Sequence, residues 1–137
     1  MTEVTRAPDS LYDRLEPLLA AVAKPIQYIG GEVNSVRKDW GAVDVRWVLM
    51  YPDAYAVGAP NQGLAILYEV LNECDWILAE RSYSVWPDLA AAMRAHGVPQ
   101  FTLENHRPVA AFDVLGVSRS TGLGDTKLLA ALDLAGL

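Results

Sequence analysis

One cysteine, Cys74, is all that the 137 residues contain. An internal disulfide is excluded, and so are a cluster or zinc site held by several cysteines. Histidine is nearly as scarce, with two residues, His96 and His106. Neither has a second imidazole or acid motif at ligand spacing, which argues against a metal centre. Basic residues are also short: 11 Lys and Arg stand against 17 Asp and Glu, a net charge of −6, and Arg37-Lys38 is the longest basic run. Non-specific nucleic-acid binding needs clustered cations to neutralise phosphates, so it is not expected. Long apolar runs are missing as well, none approaching the ~18 to 20 residues of a membrane span. The opening MTEVTRAPDS lacks the basic and apolar regions of a secretory signal. A reducing, cytoplasmic setting with no membrane contact is the expectation. Ser, His and Asp all occur, but no nucleophile elbow marks a catalytic serine, and the acidic neighbour Asp75 discourages a reactive thiolate at Cys74. No catalytic residue is assigned.

What is present suits one globular domain, with 52% hydrophobic and 20% charged residues. Leu11, Leu15, Leu18, Leu19 and Val22 recur at helical spacing after Ser10, with Pro17 predicting a kink or a break. Residues 25–42, with Gly30-Gly31, show no clean period and read as a connecting arm, so residues 1–42 form an N-terminal helix and arm ahead of a domain over 43–137. Val43 to Met50 is almost continuously apolar and β-branched, as a central parallel strand would be. Asn61 caps a helix to about 74 whose stripe is Leu64, Leu67, Tyr68 and Leu71. Trp76 to Ala79 is a second strand. Pro87 and Gly97 frame a second helix. Gln100 to Leu103 and Val114 to Val117 read as two more strands, and Asp125 or Thr126 caps a last helix.

Strands alternating with helices predict an α/β fold, a flavodoxin-like, Rossmann-like doubly wound parallel sheet of about four strands with an N-terminal helical arm. Such sheets bind ligands beyond the carboxyl ends of their strands. Two loops therefore hold the candidate residues. The first carries Asp53, Tyr55 and Gly58, and either receives a ligand or is an ordinary turn after Pro52. The second carries Ser118, Thr121 and Gly122 with Arg119, and either cradles an anion or serves as a plain loop. It lacks the lysine of a phosphate-binding motif, and Gly122-x-Gly124 is too short for a dinucleotide fingerprint. Trp40, Trp47, Trp76 and Trp86 are packing residues or partner anchors.

The segments YIGGEVNSVRKDW, VDVRWVLMYPDAYAVG, GLAILYEVLNE, SVWPDL, HGVPQFTLENHRP, FDVLGVS and LDLAGL together resemble the N-terminal, cobalamin-binding-type domain of a bacterial radical SAM protein family. The likeness runs over roughly residues 25 to 137. It implies a flavodoxin-like cofactor-binding-type module preceding a radical SAM barrel with a CxxxCxxC iron-sulfur motif. No such motif stands in this sequence.

Cobalamin domains of the type that ligates cobalt from below carry D-x-H-x-x-G after the first strand. The matching residues here are Asp53, Tyr55 and Gly58, and tyrosine does not replace imidazole. The final strand and the loop that take the nucleotide tail are expected to be missing. Pro60, Gln62, Arg119, Gly122, Asp125 and Lys127 depart from the family's pattern on the same edge, as in a domain separated from its barrel by engineering or divergence. The resemblance therefore implies a non-catalytic cofactor-binding-type module, with cobalamin as the possible cofactor and none tightly held. Its partners would be the radical SAM barrel of the parent protein and, through an exposed sheet edge, a second copy. A partner-binding or structural α/β domain without cofactor, and a small flavodoxin-like nucleotide binder, are the alternatives.

Overall fold

The computed structural model describes residues 7, 9–119 and 125–137. Along the chain lie α1 (Tyr12–Leu19), β1 (Val45–Tyr51), a single-turn α2 (Tyr55–Gly58), α3 (Gln62–Glu73), β2 (Ile77–Tyr83), α4 (Pro87–His96), β3 (Val114–Val117) and α5 (Asp125–Ala135). Short 3-10 turns occupy Pro25–Tyr28, Trp40–Ala42 and Val109–Ala111. The three strands form one parallel sheet in the order β2-β1-β3. β1 is central, as its apolar run predicts, pairing over Val45 to Tyr51 with Ile77 to Tyr83 and over Trp47 to Met50 with Val114 to Val117.

Alternation along β1 sends its side chains into two cores. Leu49 packs with Leu64 and Tyr68 of α3 and with Ala79, Tyr83 and Leu103, while Val48 and Met50 pack with Val109 and with Ala131 and Ala135 of α5. A third core joins Leu15, Leu18 and Leu19 of α1 to Leu89 and Met93 of α4, with Tyr28 and Phe101. Helices thus cover both faces of the sheet. The caps are those the sequence announces. Asn61 Oδ1 accepts from the Leu64 amide at 2.9 Å, and Gly97 takes the left-handed conformation (φ 65°) that ends α4. Pro17 lies inside α1, which continues only to Leu19.

Three expectations are corrected. Gln100 to Leu103 is not a strand, so among the described residues three strands stand where about four were expected. The segment folds back on itself instead: Phe101 and Pro108 form an isolated antiparallel bridge, and the Thr102 amide donates to the Arg107 carbonyl at 2.9 Å. Against β2 it makes one backbone bond, from the Leu103 amide to the Arg81 carbonyl at 2.8 Å. The Arg81 amide is met by the Glu104 carboxylate at 2.8 Å, so a side chain takes the place of a ladder. Second, the α3 stripe is narrower than its sequence suggests. Leu64 and Tyr68 are buried, while Leu67 is 52% exposed because α3 lies on the sheet by one edge. Third, the arm read as a plain connection is anchored: Lys38 is half-buried and donates to the carbonyls of Asn72 (2.8 Å), Cys74 (2.9 Å) and Ile77 (2.7 Å). It closes the carboxyl end of α3, where orphan carbonyls and the helix dipole favour a cation.

Candidate functional site

The loop after β1 is tied down residue by residue. The Asp53 carboxylate accepts from the Ala54 amide at 2.8 Å and from Lys127 Nζ of α5 at 2.8 Å, and its carbonyl accepts from the Ser84 amide at 2.9 Å. The Lys127 contact holds its carboxyl below the usual range. Tyr55 donates its hydroxyl to Glu32 of the arm, and its ring stands edge-on to Tyr83 at 5.4 Å between centroids. Burial, then the neighbouring Glu32, pushes the Tyr55 hydroxyl up to about 12. A Cβ on Gly58 would lie 2.6 Å from the Tyr83 ring and 2.9 Å from that of Tyr51, so this glycine admits close packing between aromatic rings. Of the second loop, Ser118 donates its amide to the Met50 carbonyl at 2.9 Å, continuing the β1–β3 ladder. Thr121 and Gly122 lie outside the described residues.

Asp53, Tyr55 and Gly58 therefore do not converge on one open surface. Asp53 faces α5, while Tyr55 faces the arm, where Arg81 Nη2 reaches the same Glu32 carboxylate at 2.6 Å. This arrangement does not fit cobalt ligation from the loop. Position 55 offers a phenol in place of imidazole nitrogen, and that phenol is engaged with Glu32. Among the described residues no group of three or more His, Cys, Asp or Glu could hold a metal ion.

Beneath the loop lies a buried ionic layer built on β2. Arg81 bridges Glu32 and Glu104, with Nε 2.7 Å from Glu104, and its guanidinium lies over the Tyr68 ring at 4.6 Å. On the opposite face, Glu80 pairs with Arg107 at 3.2 Å and accepts from Asn105 at 2.9 Å and Thr102 at 3.3 Å; Arg107 also reaches Asp9 at 3.0 Å. Burial raises Glu104 to about 7 against the lowering effect of Arg81, and burial raises Glu80 as well. For Glu32 burial pushes upward, but the Tyr55 and Arg81 hydrogen bonds outweigh it and the carboxyl is held low. These groups face one another across packed protein. They hold the arm, the 100–107 segment and β2 together.

Among the described residues a cleft of about 610 Å³ lies between α4 and α5, beyond the carboxyl ends of β1 and β2. Its walls are Ala90 and Ala91 of α4 facing Ala130, Ala131 and Leu134 of α5, with Val85 and Trp86 at the turn into α4. Asp53, Ser84, Arg94, Gln100 and Lys127 supply its polar groups. Sequence reasoning located Asp53 and gave Trp86 as a packing residue or partner anchor, but missed Ser84, Arg94 and Gln100. The signal was available in part, since Trp86 and Pro87 open α4 at the end of β2, where α/β sheets place their ligands.

A family model described as Radical SAM proteins, N-terminal, matches residues 63–137, more than half of the chain. The match starts within α3 and includes both helices that wall the cleft. No curated protein and no solved structure matches the chain. None of the helices among the described residues is long and apolar enough to cross a membrane. With more than half of its residues matched, the chain belongs to the family of radical SAM protein N-terminal regions.

Proposed function

We propose that this chain is a non-catalytic, ligand-binding module of a radical SAM protein, flavodoxin-like in type, and that its ligand lies in the cleft between α4 and α5. The cleft carries this reading. It sits beyond the carboxyl ends of two parallel strands, has about 610 Å³ of space, and sets an apolar slot beside a few polar groups. The strand order β2-β1-β3 is in keeping with the flavodoxin-like type. Chemistry belongs to a barrel elsewhere in the parent protein, whose iron-sulfur motif the family resemblance implies; the module binds and presents.

Cobalamin held through a protein nitrogen is not part of this reading, because Tyr55 is bonded to Glu32. Cobalamin is expected to bind this chain weakly or not at all, and Tyr55→His is not expected to restore it. Absorbance titration with hydroxocobalamin tests this, and a tight complex with nitrogen coordination from the protein would contradict it. The cleft itself is tested with 1-anilinonaphthalene-8-sulfonate, an apolar fluorescent probe. Its emission should rise with the wild-type chain and stay low with Ala91→Trp, which fills the slot from an exposed wall position. Equal emission from both would show that the dye sits elsewhere and would remove the cleft from the account.

A further inference from the structure

We infer that an apolar groove between α3 and β3 docks a helix from the catalytic remainder of the parent protein, an amphipathic helix with lysines or arginines beside its apolar stripe. The inference rests on the reading that the parent's chemistry lies outside this chain. One wall of the groove is α3. Its Ile66, Leu67 and Val70 are 59%, 52% and 53% exposed, and Trp76, just past the helix end, is 53% exposed. Single apolar residues on a surface are ordinary, but three on one flank of a helix mark a contact surface.

The turn of about 100° per residue fixes where that flank points. Leu64 and Tyr68 face the core. To one side of them Asn72 brackets Ala79 of β2, accepting from its amide at 3.0 Å and donating to its carbonyl at 3.1 Å, and so marks the outer edge of the sheet. Leu67 and Val70 fall on the other side of the core-facing pair, toward β3, with Ile66 above them. The sheet surface there is bare. Among the described residues no β3 side chain joins the core under α3, and Leu115 and Val117 pack on the α5 face. By alternation Val114 and Gly116 point to the α3 side, and both are half-exposed. A Cβ on Gly116 would meet the Trp47 indole at 2.7 Å, and Trp47 packs with the α3 core, which places this surface on the α3 side. Strands lie about 4.8 Å apart and packed helices about 8 to 10 Å apart, so a helix laid over β3 would rest against Leu67 and Val70.

Charge selects the occupant. From Gln62 to Trp76 the chain carries Glu69, Glu73 and Asp75, all exposed, and no lysine or arginine. Asp44 is exposed as well, and its amide donates to the Trp76 carbonyl at 2.9 Å, which brings another carboxylate to that end. The Lys38 ammonium beneath α3 is committed to three carbonyls, and Arg46 pairs with Asp113 at 3.4 Å. An apolar surface with an acidic rim fits an apolar stripe flanked by cations. It repels a second copy of this chain, which would bring the same acids and a net charge of −6. Gly63 onward in α3 and all of β3 lie within the region matched to radical SAM N-terminal regions. A helix in the same polypeptide meets the groove at high effective concentration, so a short apolar stripe suffices to hold it.

The test uses the full chain and two labelled synthetic peptides of about 18 residues, long enough to form a helix. Both carry leucines at helical spacing; the remaining positions are lysine in one and glutamate in the other. Binding is followed by fluorescence anisotropy. The lysine peptide should bind, and the glutamate peptide should bind at least about tenfold more weakly. Ile66→Ser combined with Val70→Ser alters no charge and should weaken the lysine peptide at least about tenfold. Val114→Lys should weaken it as well, with circular dichroism confirming that each variant is folded. Undiminished binding by the Ile66 and Val70 variant would reduce the effect to charge attraction and overturn the groove, and undiminished binding by Val114→Lys would place the peptide off the sheet and overturn it too. A sedimentation mass that rises with concentration for the wild-type chain but not for the Ile66 and Val70 variant would seat a second copy there and overturn the occupant. Ala91→Trp lies on the opposite face and should leave peptide binding unchanged. Dye uptake in the cleft without peptide binding would overturn the groove and leave the cleft, whereas peptide binding without dye uptake would overturn the cleft and leave the groove.

Discussion

β2 and β3 flank the same central strand, but β2 pairs with β1 over seven residues and β3 over four. The outer side of β2 is covered by the 100–107 segment, whose Glu104 caps the Arg81 amide, and six of its seven residues are buried. Every residue of β3 is half-exposed. A strand edge must be covered, charged or left short if it is not to invite pairing. This fold covers one edge with a polar plug and keeps the other edge short. Gln100, which begins that segment, also lines the cleft between α4 and α5.

The largest effect is expected at Arg81. Its guanidinium joins Glu32 of the arm to Glu104 of the plug, and Glu104 has no exposure of its own. Arg81→Ala leaves a buried carboxylate without its cation, and a loss of about 3 to 5 kcal/mol is expected by urea unfolding. A loss under about 1 kcal/mol would show that the plug holds without its ion pairs. In the central strand, Leu49 is 4% exposed and packs on α3, and Leu49→Ala should cost about 2 to 5 kcal/mol. A shift within about 0.5 kcal/mol would mean that this core is poorly packed.

Sequence reasoning reached β1, the caps of α3 and α4, and β3, because each is announced by local chemistry: a β-branched apolar run, Asn61, and the Pro87 to Gly97 frame. It stopped β2 at Ala79, because Glu80-Arg81-Ser82 interrupts the apolar run. Those residues continue the strand only because Arg107, Glu104 and the Phe101 carbonyl, far along the chain, supply their partners. The plug was misread for a related reason. Gln100, Phe101, Thr102, Leu103 and Glu104 alternate polar and apolar as a half-buried strand does, yet all five are buried. Periodicity records which residues differ in polarity and is silent on whether a distant side chain will pair with them. The same limit hid the cleft, whose alanines look like any helix surface until α4 and α5 are set side by side.

The plug also makes stability depend on pH. Burial keeps the Glu104 proton in the folded chain up to about 7, whereas the unfolded chain releases it near the ordinary 4.5. Between those values the folded state binds more protons, so stability from this group falls as pH rises, by at most about 1.4 kcal/mol per pH unit. Glu80, also raised by burial, acts in the same direction. Glu32 and Asp53 are held low, so their contribution is present above their ordinary values and is lost only as pH falls through the lowered ones. Urea midpoints at pH 5, 6 and 7 should therefore decline for the wild-type chain and decline less for Glu104→Gln. Parallel declines would assign the effect elsewhere.

The smallest effect is expected at the open flank. Val114 begins β3, pairs with Trp47 and keeps part of its side chain in water. Val114→Thr conserves shape and β-branching while adding a hydroxyl that solvent can satisfy, so its cost should stay within about 0.5 kcal/mol. Light scattering on the same pair of chains asks whether this edge also recruits a second copy, as its single-sided pairing allows. If association runs through the edge, added polarity should lower the apparent mass at high concentration while leaving the unfolding midpoint in place. A cost near that of Leu49→Ala would show that β3 is anchored as firmly as the rest of the sheet, and the contrast between a plugged edge and a short one would no longer describe how this sheet ends.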